Sequence, residues 1–270
     1  MNKIRVNLIT SVSSAGRGVG FYEHFLRLSL QKTDQVEFTS LNSDLIHYPF
    51  FDLFYPTLPW KKIRPTVVTI HDLSPIVLSS LYPKGIKGTL SLLHQRISLS
   101  NVAAIITDSH NSKVDIHRLF AIPESKIFVT PLAVDPLYQS PPSKTALKLV
   151  KEKYHLPDKF VLAVAGGPNP NKNLPLLAQA TQDLNLPLVL VGGGLTQQLP
   201  RKIHPELKDL ALLKTYDHLI LPGFVDTQEL NALYRLATLY CQPSLYEGFG
   251  LPLLEAMTAK CLVVSSSPSS

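Results

Sequence analysis

The chain has 270 residues, which is enough for one large domain or two domains of ordinary size. Hydrophobic residues make up 45% and charged residues 17%, a globular composition that excludes an intrinsically disordered chain. The net charge of +6 suits anionic small molecules or an anionic membrane surface, but it is spread too diffusely to indicate a nucleic-acid partner.

Residues 4–9 form a short apolar run with basic neighbours but without the long apolar core of a signal peptide. We therefore expect a buried first strand there. No stretch approaches the roughly 18 uncharged apolar residues of a membrane span. Cys241 and Cys261 lie in strand-like runs, and we expect reduced structural thiols in a cytoplasmic protein.

Short apolar runs alternate with amphipathic stretches along the first half of the chain. Strands are predicted at 4–9, 35–39, 66–70, 103–107 and 126–130, and helices at 19–31, 84–99 and 111–120. This alternation predicts a parallel sheet with helices on both faces. The proline-rich stretch 131–158, with one helix at 143–154, is expected to connect two domains.

The alternation then restarts and predicts a second doubly wound α/β unit. Its strands are predicted at 160–165, 188–191, 219–221, 238–241 and 262–265, and its helices at 174–184, 227–236 and 251–259. The predicted domains are thus 1–140 and 159–270, with a linker at 141–158. Because no helix follows the last strand to cover its edge, we expect the second domain to be incomplete.

The most specific motif is PSLYEGFGLPLLEAM at 243–257, which follows a predicted strand and opens a helix. Its glycines permit a tight turn with positive φ. The backbone N–H groups of Phe249, Gly250 and Leu251 then lie at a helix start and form a candidate anion site.

Two carboxylates flank this turn, and each has an ordinary explanation on its own. Glu247 could be a solvated loop charge, and Glu255 could complement the helix dipole. The complete motif, however, resembles that of glycosyltransferase family 4 (the glycosyl transferases group 1), whose hallmark is E-x7-E around E-G-F-G-L-P. The resemblance implies a retaining transferase of the GT-B fold, with two Rossmann-like domains facing a cleft.

The segment VLAVAGGPNPNKNL at 161–174 is typical of a strand, a small-residue turn and a helix start. An exposed loop lysine would be the ordinary explanation of Lys172, although a lysine there can also meet a diphosphate as a point charge. The resemblance implies that Lys172 binds the donor diphosphate. Gly167 stands where the family often has a second basic residue, so part of that charge has no obvious partner.

The loop GRGVG at 16–20 follows the first predicted strand. It departs from the dinucleotide fingerprint G-x-G-x-x-G, and only this loop would favour an NAD-dependent oxidoreductase. The resemblance implies that Gly18 belongs to a glycine-rich loop over the donor phosphates. A simple tight turn remains open.

His71 and Asp72 end the third predicted strand, where ligand-facing residues collect in doubly wound sheets. A lone histidine there is more often structural, but the resemblance implies that His71 contacts the donor sugar. Asp72 is a weaker candidate. Two further stretches, 107–113 and 129–136, also resemble the family, and no role is predicted for their residues.

The predicted helix 84–99 carries four basic or titratable residues among apolar ones. The basic group is Lys84, Lys87, His94 and Arg96, and the apolar group is Ile86, Leu90, Leu93 and Ile97. Such a helix could lie on anionic lipid. An ordinary surface helix packed on the sheet is the simpler interpretation.

The resemblance implies an enzyme that moves a hexose from a nucleoside diphosphate sugar to an acceptor hydroxyl with retention. No Asp-x-Asp occurs, so no metal site and no cofactor are expected, and Lys172 with the backbone amides would stabilise the leaving diphosphate. Glu247 would orient the sugar, and Glu255 would accept hydrogen bonds from the ribose. His71 would act from the other domain.

The expected partners are a sugar-nucleotide donor and a glycan or lipid-linked acceptor of polysaccharide biosynthesis, with mannose as a candidate sugar. The expected location is cytoplasmic, with peripheral contact to the inner face of the membrane as a further expectation. The alternative function is that of a catalytically impaired, nucleotide-sugar-binding remnant of a GT-B protein.

Overall fold

The computed structural model describes residues 3–10, 18–167, 169–196, 213 and 216–266. The chain divides into two compact units. The first comprises Met1–Ser79 and Pro83–Pro131, and the second comprises Ser80–Tyr82 and Leu132–Ser270.

The first unit is a parallel sheet with helices. Its strands are β1 (Ile4–Leu8), β2 (Val36–Phe38), β3 (Leu45–Tyr48), β4 (Thr66–Thr69), β5 (Ala104–Thr107) and β6 (Ile127–Val129). Its helices are α1 (Gly18–Lys32), α2 (Ser74–Val77), α3 (Gly85–Ser100) and α4 (His110–Phe120). In the described part of this unit the sheet has six strands in the order β2-β1-β3-β4-β5-β6, and every neighbouring pair is parallel.

The second unit has the same class of architecture. Its strands are β7 (Val161–Val164), β8 (Leu188–Val191), β9 (Leu219–Gly223), β10 (Leu239–Gln242) and β11 (Val263–Ser265). Its helices are α5 (Lys144–Lys153), α6 (Leu174–Asp183), α7 (Thr227–Leu236) and α8 (Leu251–Thr258). Within the described ranges its five strands are parallel, in the order β11-β10-β7-β8-β9.

Both faces of the second sheet are covered, as continuous apolar strands require. Leu162 and Val189 point into one buried cluster, whereas Val161 and Leu188 point into another. Successive side chains of a strand alternate between faces, so the two clusters lie on opposite sides of the sheet. The doubly wound α/β class predicted from the sequence is confirmed.

The stretch 141–158, which we expected to be a linker, packs into the second unit. Its helix α5 lies against α7, where Glu229 pairs with Lys153 and accepts a hydrogen bond from the Tyr154 hydroxyl at 2.7 Å. Val150 and Leu156 are buried in the same core. The prolines that suggested a linker therefore lie in a packed segment. The division between the units falls at 131/132.

Helix α3 differs from the simpler interpretation of its pattern. The large apolar side chains that we expected to pack on the sheet are exposed: Ile86, Leu90, Leu93 and Ile97. The helix instead buries Gly88, Gln95, Ser98 and Leu99. Among the described residues, no helix combines the length and the apolar character that crossing a bilayer would require.

Candidate functional site

The sheet order of the second unit brings the two candidate loops together. Strands β7 and β10 are neighbours and parallel, so the loops that follow them leave adjacent carboxyl ends. Loop 165–173 connects β7 to α6, and loop 243–250 connects β10 to α8. This edge is where doubly wound sheets bind ligands.

Asn171 ties the two loops to each other. Its backbone carbonyl accepts from the Leu245 N–H at 2.7 Å, and its side-chain amide donates to the Tyr246 carbonyl at 3.0 Å. The Tyr82 hydroxyl donates to the Asn171 Oδ1 at 2.9 Å. Because Asn171 and Tyr82 are both buried, these bonds are shielded from water and hold the loops in one arrangement.

Lys172 and Glu247 meet directly. The Lys172 Nζ lies 2.6 Å from the Glu247 Oε1, and the two side chains are only 14% and 13% exposed. The Ser244 hydroxyl donates to the same Oε1 at 2.5 Å. The sequence singled out Lys172 and Glu247 as separate ligands, whereas in this structure they form one ion pair.

The turn before α8 has the geometry that the motif predicted. Gly250 has φ 84° and precedes Leu251, the first residue of α8, and no side chain caps this helix start. Pro252 occupies the first turn, where its missing N–H costs nothing. Within the described part of the chain, no oxygen accepts a hydrogen bond from the N–H groups of 248–251. With Phe249 half-buried beside them, these amides are available to an anion.

Glu255 lies one turn further along α8 and faces a buried group of tyrosines. The Tyr234 hydroxyl donates to its Oε2 at 3.0 Å, and the Tyr234 ring contacts those of Tyr138 and Tyr240. Burial raises the pKa of Glu255 to about 7, the Tyr234 hydrogen bond opposes that rise, and the nearby Asp135 charge adds to it. Glu255 therefore changes charge near neutral pH.

Replacing Glu255 with glutamine is expected to stabilise the protein at neutral and high pH but not at about pH 4. Burial raises the folded-state pKa from 4.5 to about 7, so the unfolded state ionises first and the native state loses stability progressively between pH 4.5 and 7, a loss that the neutral amide avoids. Because the carboxyl is half-buried, the expected gain in unfolding free energy is about 1–2 kcal/mol. Denaturant titrations of both proteins at about pH 4 and about pH 8.5 would measure it. A gain of equal size at both values would contradict the explanation.

His71 belongs to the first unit and is held at both ring nitrogens. Its Nδ1 lies 2.7 Å from the Asp108 Oδ2, and its Nε2 lies 3.3 Å from the Pro49 carbonyl oxygen. Tyr22 packs edge-on against the ring, with centroids 4.7 Å apart. Burial alone lowers the pKa of His71, but Asp108 outweighs burial and the pKa lies above its ordinary value. Both nitrogens face acceptors, which fits an imidazolium that carries two protons.

A nearby second histidine, His47, has its pKa shifted in the opposite direction. His47 on β3 is buried, its Nε2 lies 2.9 Å from the Thr69 Oγ1, and burial lowers its pKa to about 4. The Tyr22 hydroxyl lies 3.2 Å from the same Thr69 oxygen. Two imidazoles whose pKa values are shifted in opposite directions thus lie at the carboxyl ends of β3 and β4.

Three other predicted residues have simpler surroundings. A Cβ on Gly167 would lie 3.8 Å from the Gly193 carbonyl oxygen, an ordinary contact, so packing does not demand a glycine there. No atom of the described residues lies within 4 Å of a Cβ placed on Gly18, the first residue of α1, and residues 11–17 lie outside the described part of the chain. Asp72 accepts hydrogen bonds from the Ser74 N–H and hydroxyl at the start of α2, a local structural role.

Sequence reasoning missed Asn171, Ser244, Tyr82 and the partner of His71, Asp108. Asn171 and Ser244 lie within the segments singled out for Lys172 and Glu247, so position alone could have indicated them. Tyr82 lies far from both segments in the chain, and no pattern marked it. Within the described ranges, no group of three or more His, Cys, Asp or Glu side chains is arranged to hold a metal ion.

Comparisons with known proteins identify the family. The model of the family Glycosyl transferases group 1 matches residues 146–270, and that of Glycosyltransferase Family 4 matches 12–137. The O-antigen chain mannosyltransferase B of Escherichia coli is 32% identical over 216 residues, which cover 77% of this chain and 55% of that protein. The serotype-specific mannosyltransferase WbdA of Escherichia coli is 30% identical over 225 residues, which cover 79% and 26% respectively. The chain thus spans about half or less of these relatives' length.

Solved structures give the same result for the fold. Anabaena Alr3699/HepE, in complex with UDP and glucose, superimposes with a TM-score of 0.65 at 16% identity, covering 98% of this chain and 80% of that one. Sucrose-phosphate synthase from Thermosynechococcus elongatus gives 0.64 at 18% identity, covering 92% and 61%. At such low sequence identity, the structural similarity bears on the fold alone. It confirms the two parallel-sheet units of the GT-B class. The matched motifs, relatives and fold together establish that the chain belongs to the family 4, group 1 glycosyltransferases.

Proposed function

We propose that the chain carries out retaining, metal-independent transfer of a hexose from a nucleoside diphosphate sugar to an acceptor hydroxyl. The observation that supports it best is the contact between Lys172 and Glu247 at the adjacent ends of β7 and β10. An ammonium and a carboxylate lie beside backbone amides that have no acceptor among the described residues. These groups match the needs of a sugar diphosphate, which brings both negative charge and hydroxyl donors.

In this proposal the bond between the anomeric carbon and the diphosphate oxygen breaks, and a bond to the acceptor oxygen forms on the same face. The acceptor's proton passes to an oxygen of the departing diphosphate, so no protein base is required. Lys172 and the amides of 249–251 stabilise the charge that develops on the diphosphate. Glu247 turns from Lys172 to the sugar hydroxyls and fixes the orientation of the ring.

Glu255 accepts hydrogen bonds from the ribose hydroxyls in the same proposal. Two hydroxyl donors favour its charged form, so donor binding should release a proton near neutral pH. His71 is assigned the sugar contact through its Nε2–H, which requires the sugar oxygen to replace or share the long bond to the Pro49 carbonyl. Gly18 and Gly167 are assigned close approach to the donor phosphates.

The names of the relatives favour a mannose donor and a glycan acceptor. Both Escherichia coli relatives are called mannosyltransferases, and one of them acts on an O-antigen chain by name. GDP-mannose is therefore the first donor to test, followed by UDP-glucose. Cys241 and Cys261 are free thiols, which suits the cytoplasmic location that forms part of this proposal.

The proposal is tested by offering the purified chain a set of sugar nucleotides. A donor that binds the native state should raise the melting temperature, with about 2.7 kcal/mol of stabilisation at a hundredfold excess over Kd. Transfer to a mannose-containing acceptor is then followed with and without EDTA, and the product's anomeric configuration is read by NMR. Stabilisation without transfer would favour the binding remnant instead. Stabilisation by NAD alone would overturn the sugar-nucleotide donor, and loss of transfer in EDTA would overturn metal independence. Inversion of the anomeric configuration would overturn the retaining mechanism.

A further inference from the structure

Helix α3 carries an apolar ridge on its outer side. Ile86, Leu90, Leu93 and Ile97 are 83%, 63%, 56% and 51% exposed. Their spacing of four, three and four residues places them in one line along a helix. Exposed apolar residues that occur singly need no explanation, but four large ones in a line along one helix do.

The orientation of α3 is fixed by polar contacts on its inner side. Gln95 is fully buried, and its amide donates to the carbonyls of Asp52 at 2.5 Å and Tyr55 at 2.8 Å. Leu99 is fully buried beside it, and a Cβ on Gly88 would already touch the Phe54 ring at 3.4 Å. Rotating the helix to bury its ridge would break the bonds of a buried amide. The ridge therefore faces outward.

A neighbouring loop extends the same apolar surface. The Trp60 ring stacks on the ring of His94 of α3, with centroids 5.2 Å apart and planes 29° apart. Trp60 is nevertheless 62% exposed, and Ile63 is 78% exposed. We call the ridge of α3 together with loop 60–64 the α3 face. Tryptophan is the side chain most characteristic of the boundary between lipid headgroups and hydrocarbon.

The charge around the α3 face is positive. Lys87 and Arg96 are exposed and flank the ridge on opposite sides of the helix. From residue 53 to residue 107 the sequence has six Lys or Arg residues and one acidic residue, Asp72. This stretch therefore carries +5 of the chain's net charge of +6, and it provides both the loop and the helix of the α3 face.

An apolar groove lies beside the ridge within the first unit. Its volume is about 320 Å³, and its walls include Leu92, Leu93 and Phe120, with Arg96 among the lining residues. The groove thus offers apolar walls, and Arg96 supplies a cation among its lining residues. Apolar ridge, interfacial tryptophan and flanking cations occur together here, which is the pattern of a helix that lies in the plane of a membrane.

We propose that the α3 face docks on an anionic lipid surface, with the ridge buried at the level of the headgroups and with Lys87 and Arg96 on lipid phosphates. This inference does not depend on the assignment of Lys172 and Glu247, which lie in the second unit. A protein partner would offer acidic side chains to the same cations, but nothing in the structure indicates one. Two proteins could also meet through the ridge, and the experiment separates that case.

The test is sedimentation of the full chain with phosphatidylcholine vesicles that contain or lack phosphatidylglycerol. We expect binding that needs the anionic lipid and weakens with salt, since each basic residue near such a surface contributes roughly fivefold. The pair Ile86→Gln with Leu90→Gln removes apolar surface, and the pair Lys87→Glu with Arg96→Glu reverses charge. Each pair should lower the partition coefficient at least about tenfold.

Matched controls come from exposed positions of the second unit. Leu176→Gln with Leu184→Gln removes comparable apolar surface, since these side chains are 59% and 68% exposed. Lys144→Glu with Lys159→Glu reverses two exposed charges. Circular dichroism of every variant confirms that it folds.

Three outcomes would overturn the proposal. The first is no sedimentation of the unaltered chain with anionic vesicles, and the second is an equal loss in the control pairs. The third is light scattering in which Ile86→Gln with Leu90→Gln converts a dimer to a monomer while vesicle binding is absent. That result would assign the face to a second copy of the chain.

Discussion

Replacing Lys172 with methionine is expected to lower the rate of sugar transfer by about 10²–10³-fold, a loss typical of removing one preorganised group that stabilises a transition state. Methionine preserves the apolar stem but removes the ammonium that meets Glu247 at 2.6 Å. The charge of the leaving diphosphate would then rest on the amides of 249–251 alone. The effect should fall mainly on kcat, because the charge on the leaving oxygen grows in the transition state.

Glu247→Gln tests the other half of the pair. The amide oxygen can still accept from the Ser244 hydroxyl, but it no longer attracts Lys172 or holds sugar hydroxyls as a carboxylate does. Because the two side chains contact each other, the losses of the single variants should not add in the double variant. Initial rates for the four proteins give this coupling directly.

Lys159→Met is the matched control, since Lys159 is an exposed lysine of the same unit. It should transfer sugar at the rate of the unaltered chain. Full activity of both Lys172→Met and Glu247→Gln would remove the assignment of this site. Strictly additive losses would mean that the pair does not act as a unit.

The second large effect is expected at Gly192, which follows β8. A Cβ at this position would lie 1.8 Å from the Ala165 carbonyl oxygen and 3.3 Å from the Leu195 Cδ1. The backbone around it cannot move freely, because the Gly192 N–H donates to the Gly223 carbonyl at 2.9 Å. Gly192→Ala should therefore lower the free energy of unfolding by about 3 kcal/mol or more, at the upper end of overpacking effects.

Gly166→Ala provides the comparison for Gly192→Ala. Among the described residues no atom lies within 4 Å of a Cβ at Gly166, one strand away in the sheet, so this change should leave stability within about half a kcal/mol. Denaturant titration of both variants measures the difference. Equal stability of the two would show that the loops after β7 and β8 separate more easily than their contacts imply.

Much of the fold follows from the sequence because its strands are continuous apolar runs between helices of clear period. Strand β3 is the exception: its four residues LIHY lie between Asp44 and Pro49, too short a run for either period to show. It nevertheless lies between β1 and β4 in the sheet. Strand β3 is defined by its pairing with strands that are distant in the sequence, and a local residue pattern carries no information about such pairing.

The sequence indicated Lys172 and Glu247 individually, but it did not predict that they contact each other. Lys172 and Glu247 are 75 residues apart, and only the neighbouring positions of β7 and β10 bring them together. The orientation of helix α3 was likewise not predictable from the sequence. Its apolar period was recognised, but a period does not say which face is buried, and here the carbonyls of Asp52 and Tyr55 bind the Gln95 amide and turn the apolar side outward.

The mutual neutralisation of Lys172 and Glu247 bears on selectivity among anions. Orthophosphate that drew the ammonium away would weaken the charge compensation of a largely enclosed carboxylate, which is unfavourable. A sugar diphosphate avoids the penalty, because its hydroxyl groups compensate the carboxylate while its phosphates compensate the ammonium. On the proposed assignment, the Lys172–Glu247 pair therefore favours binding of a sugar diphosphate over binding of inorganic phosphate.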